Sequence, residues 1–89
     1  MKLVSERYVA RRRFSEAIRR RRRELDLTQK MVAGMLGVSV ALVSAWERRG
    51  TLMPVRFVRP VEKLLGYDPG ILLDLWAEAN QERAGGDAE

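Results

Sequence analysis

Residues Thr28 to Glu47 read TQKMVAGMLGVSVALVSAWE, and the order of capping, small and apolar residues in this stretch decides the fold. Thr28 is a good helix N-cap, because its hydroxyl can accept a hydrogen bond from an otherwise unpaired backbone N–H. Val32, Ala33 and Leu36 follow at helical spacing on one face. Gly37 ends that helix, since glycine enters the left-handed region at no steric cost. Ser39 is placed to cap a second helix over 40–48, and Val43 and Trp46 give it an inward stripe. Ala33 is small where two helices at a steep angle bring their backbones together.

Cap, small residue, turn glycine, second cap and two apolar residues three apart make the helix-turn-helix pattern. The stretch resembles the helix-turn-helix of the Cro/C1 repressor family, also called the Xre family. Ile18, Arg22 and Leu25 are similar to the preceding helix, and Thr28-Gln29 to the opening of the second. Trp46-Glu47-Arg48-Arg49-Gly50 looks like the family's aromatic–Glu–Arg–Gly ending with one extra residue before the glycine, and Leu65-Gly66 like the close of its last core helix. The likeness covers roughly residues 14 to 69. It implies an all-α fold: a five-helix repressor-like helix-turn-helix domain with an additional C-terminal helix segment.

What the resemblance implies for function is residue-specific. Gln29, with Lys30 beside it, contacts the DNA backbone at a helix N-terminus, where free N–H groups favour phosphate. Helix 40–48 enters the major groove of double-stranded DNA, with Ser39, Val40, Ala41, Ser44, Ala45 and Arg48 at or near base edges. Relatives often carry glutamine or arginine at these outward positions, whereas here they are small and mostly apolar. Val40, Ala41 and Ala45 can touch thymine methyl groups, and Ser44 and Arg48 alone offer hydrogen bonds. Shape and backbone contacts therefore carry more of the specificity. Arg48 and Arg49 in the following loop suit phosphate. Arg22 matches an arginine that pairs with the glutamate matching Glu47, a structural role. Arg21 stands where the family usually has an aliphatic residue.

Bulk composition agrees. The 89 residues form one small domain with a modest core. With no cysteine and no histidine, the chain lacks thiolate metal sites, disulfides and the commonest general base, which points to a reducing cytoplasm and away from an enzyme. No catalytic dyad, metal site or cofactor is expected. No apolar run approaches the roughly 20 residues that span a bilayer, and the basic start is no secretory signal. Residues 1–66 carry 16 basic and 6 acidic side chains, and residues 67–89 carry 1 basic and 6 acidic. A basic body with an acidic end suits a polyanion-binding domain whose far side has another task.

Outside the motif the segments are as follows. Residues 1–13, with Arg11-Arg12-Arg13, form an arm toward DNA or a helical extension packing Tyr8 and Val9. Residues 14–66 form the DNA-binding domain. Its first helix runs from Phe14 or Ser15 to Leu25, because Phe14, Ile18 and Leu25 fall within about 40° of one another. Arg19, Arg20 and Arg23 point outward. Pro60 suits a first turn, so a helix from about Arg59 ends at Gly66. Asp68 as N-cap and Pro69 at the first helical position restart the chain for a helix over 67–83, with 84–89 a disordered tail. Ile71, Leu72, Leu75, Trp76 and Ala79 share a stripe about 140° wide, too apolar for an exposed helix. We assign Leu72, Leu75, Trp76 and Ala79 to a homodimer interface; the alternative is that Trp76 folds back over Phe57 and the core. The functional expectation is a sequence-specific transcriptional regulator, a repressor, binding a palindrome as a homodimer. The alternative is an antitoxin-like interaction module that also binds DNA and grips a protein partner with its last helix. A third reading, RNA binding by the arginine run, is separable by competition between duplex DNA and structured RNA.

Overall fold

The computed structural model describes residues 9–48 and 51–87, with side chains as far as residue 82. The described residues form α1 (Val9–Glu24), α2 (Gln29–Leu36), α3 (Val40–Glu47), a 3-10 turn (Val55–Phe57), α4 (Val58–Leu65) and α5 (Ile71–Asp87), with no strand among them. No single helix among them is long and apolar enough to cross a membrane.

The helix-turn-helix forms for local reasons. The Thr28 hydroxyl accepts from Met31 N–H at 3.0 Å, and the Met31 sulfur accepts in return from Thr28 N–H at 3.3 Å. Gly37 takes φ +72°, and Val38 N–H donates back to the Ala33 carbonyl, closing the helix as a left-handed cap does. The Ser39 hydroxyl then accepts from Leu42 N–H at 3.1 Å. The chain bends by 115° between α2 and α3, within the range of DNA-binding helix pairs. Ala33, only 3% exposed, sits at the crossing, and Val43 and Trp46 go into the core.

Leu25 was expected in that core and is 37% exposed. The reason is the helix end: α1 stops at Glu24, Asp26 takes φ +58°, and Leu27 N–H returns to the Arg22 carbonyl. Leu27 packs against the core instead. The start of α1 also differs from the expected Phe14 or Ser15. The Glu82 carboxylate on α5 accepts from Ala10 N–H and Arg11 N–H at 3.1 and 3.2 Å, which caps the helix from across the molecule. Arg11-Arg12-Arg13 thus lie in a helical turn against α5. The expectations for residues 1–8 lie outside the described residues.

The last helix begins later than expected and is capped differently. Pro69 and Gly70 form a turn, with Gly70 at φ +94°, and α5 starts at Ile71. The cap is not the Asp68 side chain. Buried Glu62 reaches from α4 and accepts from Gly70 N–H at 3.0 Å and Leu73 N–H at 2.9 Å. A carboxylate there satisfies orphan donors and favours the positive end of the helix dipole. At the C-terminal end of α4, Arg21 Nε donates to the Leu65 carbonyl at 2.8 Å. That contact is the role of the arginine that departs from the family. α5 continues to Asp87, beyond the expected end near Arg83.

Burial within the single chain uses the α5 stripe unevenly. Leu72 and Ala79 are 0% exposed within the single chain, and Leu75 and Trp76 are half-buried against the same core. Trp76 Nε1 donates to the Met53 carbonyl at 2.7 Å, and Met53 is itself buried. The stripe covers α1, α4 and the loop before the 3-10 turn, so Leu72 and Ala79 present no free surface, while Leu75 and Trp76 keep part of theirs exposed.

Candidate nucleic-acid interface

The candidate reading surface is α3, and its orientation is fixed from behind. Arg22 on α1 and Glu47 on α3 form a two-pronged ion pair, with Nε to Oε2 at 2.6 Å and Nη2 to Oε1 at 2.9 Å. Both residues are buried. Arg22 Nη1 also donates to the Leu27 carbonyl at 2.7 Å, just before α2, and Gln29 Nε2 at the head of α2 donates to Glu47 Oε1 at 3.0 Å. One carboxylate therefore joins three helices. The arginine's pKa is raised, chiefly by its hydrogen bond to Glu47, with desolvation opposing and the Coulombic attraction of Glu47 assisting. A bidentate pair fixes direction as well as distance, so α3 cannot roll about its axis without breaking it.

The outward side of α3 carries Val40 (41% exposed) and Ala41, then half-buried Ser44 and Ala45, then exposed Arg48 at the C-cap. Arg48 Nη2 donates to the Ser44 hydroxyl at 3.2 Å. Ser39 is exposed at the other end, with its oxygen engaged as the cap. Lys30 is exposed at the first turn of α2, whereas Gln29 is half-buried. Among the described residues the Gln29 amide has no side-chain partner other than Glu47. Arg49 lies outside the described residues. Along the near edge of α1, Arg19 shares a shallow depression with Arg48, and Arg20 and Arg23 are exposed beside it. Val40, Ala41 and Ser44 make a small, mostly apolar ridge with Arg48 at its end, and the depression that Arg48 shares with Arg19 also holds Glu16.

Two features of the surface were missed in the sequence. Ser44 and Arg48 stand four apart on a helix, a spacing that brings side chains together, and this signal was available. The bond from Gln29 to Glu47 had no such signal, because residues 18 positions apart on different helices meet only through the fold.

A family model described as helix-turn-helix matches residues 18–72. No curated protein and no solved structure gave a significant match. The matched residues hold the capped α2–α3 pair, the buried arginine–glutamate joint and α4. With more than half of its length inside that match, the chain belongs to the Cro/C1-type, or Xre, helix-turn-helix family of DNA-binding regulators.

Proposed function

We propose that the protein is a sequence-specific transcriptional repressor that places α3 in the major groove of double-stranded DNA and binds a palindrome as a homodimer. The observation that carries this reading is the fixed helix α3, held at its back by Arg22 and Glu47 and presenting a low ridge of Val40, Ala41 and Ser44 outward. Small side chains let a helix approach base edges closely, and the cations beside it suit phosphates. Gln29, Lys30, Ser39, Ala45, Arg48 and Arg49 complete the proposed contact set.

A helix-turn-helix reads few base pairs, so two copies on half-sites about one helical turn apart supply the missing affinity. Leu72 and Ala79 are spent inside the chain, so of the four residues assigned to the interface only the half-buried Leu75 and Trp76 are left to meet the second copy. Occupancy of the palindrome blocks polymerase. If each half-site neutralises about three to five phosphates, the log–log salt slope of a dimer is roughly −5 to −9. The test is selection from a random duplex library, followed by salt titration, sedimentation and transcription of a template carrying the selected site. A slope near −1, or preference for structured RNA over duplex DNA, would rule the reading out.

A further inference from the structure

We propose that Arg48 and Ser44 act as one hydrogen-bond-donating unit that selects guanine, with Val40 and Ala41 selecting thymine about two base steps away. This rests on the reading of α3 as a major-groove helix. Arg48 sits where the backbone leaves α3, at φ −98° and ψ 161°, and its side chain is free to follow the departing loop. It does not. The 3.2 Å bond from Nη2 to Ser44 Oγ folds the guanidinium back by one turn over the outward side of α3.

The chemistry of the pair then narrows. Arginine has donors and no acceptor. The serine oxygen is engaged by the guanidinium, and among the described residues its hydroxyl proton finds no acceptor in the chain. The unit therefore presents N–H and O–H donors together. In the major groove only guanine offers two adjacent acceptors, O6 and N7; adenine pairs its N7 with a donor, cytosine shows a donor, and thymine shows one acceptor beside a methyl group. Toward the other end, Val40 and Ala41 are exposed and bear no polar atom, which suits the thymine methyl. Val40 and Ser44 are four residues apart, about 6 Å along the helix, close to two base steps of about 3.4 Å. Arg48 contacts the base through its N–H groups, and Ser44 both holds the guanidinium and adds its hydroxyl as a further donor.

The experiment uses the full chain and the duplex selected from a random library. Each half-site is expected to hold one guanine and, about two steps away, one thymine. In that duplex 7-deazaguanine, which lacks the N7 acceptor, and deoxyuridine, which lacks the methyl, should each weaken binding of the unaltered protein while random duplex binds as before. Arg48→Ala should cut discrimination at the guanine position roughly 5- to 150-fold, the span of a good bidentate contact. Ser44→Ala should reduce the same discrimination and leave the salt slope unchanged, and Ser44→Thr, which keeps the hydroxyl, should restore it. If Arg48→Ala instead weakens every duplex equally and lowers the salt slope by about one, Arg48 is a phosphate contact and the assignment fails. A selected site without that guanine also overturns it, while leaving duplex reading intact. Enrichment of no duplex at all overturns both.

Discussion

Two buried glutamates on neighbouring helices solve the same problem in different ways. Glu47, 5% exposed, meets a full opposite charge and a side-chain amide. Glu62, 3% exposed, meets two backbone N–H groups at the start of α5. The first joint fixes the angle of the reading helix to α1 and α2. The second fixes where α5 begins and lays its apolar stripe on the core. A charge partner makes Glu47 costly to strand, because the arginine left behind is also buried. Glu62 leaves behind only neutral peptide groups, those of Gly70 and Leu73. Buried charge is therefore not one quantity in this molecule: its worth depends on what is orphaned when it goes.

Glu47→Ala is the hardest test of that contrast. It should cost about 3–5 kcal/mol in denaturant unfolding, since Arg22 is left uncompensated. The pair Arg22→Met with Glu47→Leu should recover most of that loss, and a double variant no better than the single would break the argument. Glu62→Ala should cost less, about 2 kcal/mol, from unmet backbone donors, and Glu62→Gln clearly less than Glu62→Ala, because both N–H groups donate to the one oxygen Oε2 and the amide keeps one oxygen. Equal losses for these two variants would show that charge, not acceptor geometry, governs the α5 start. Among the three alanine variants the smallest effect is Glu82→Ala, about 1 kcal/mol as for an N-cap. Its sharper readout is amide exchange, which should quicken at Ala10 and Arg11 and stay slow at Gly70 and Leu73.

The sequence was informative where the physics is local. Thr28, Gly37 and Ser39 act within three or four residues of themselves, so α2 and α3 could be bounded from their caps. Leu25 went astray because the periodicity that grouped it with Ile18 does not say that Asp26 takes a positive φ one residue later. The stripe at Leu72 and Ala79 was correctly seen as needing cover, yet a stripe does not name its cover. The cover is α1 and α4 of the same chain, a matter of tertiary geometry. Arg22 with Glu47 could be paired through the family likeness alone. Glu62 and Glu82 could not, because their partners are backbone groups, which every residue but proline carries. The family match stops at 18 and 72, so the first half of α1 and most of α5 lie beyond it. Those two parts are each other's support, through Glu82 on the α1 N–H groups and the exposed pair of Arg13 with Glu78 at 3.9 Å.

Arg21 on the Leu65 carbonyl, Glu62 on the start of α5 and Glu82 on the start of α1 form a closed circuit from α1 to α4 to α5 and back. The circuit has a consequence for synthesis. Domains assemble as the ribosome delivers them, and α1 leaves the ribosome first of the described helices. Its opening turn must wait for residue 82, 72 positions later, before its free amides are met. The reading helix emerges between those two events. Nascent chains arrested before residue 82 has cleared the exit tunnel therefore hold an α3 complete in sequence beside an α1 whose first turn is still uncapped, and the full arrangement closes late, as contacts between distant residues do.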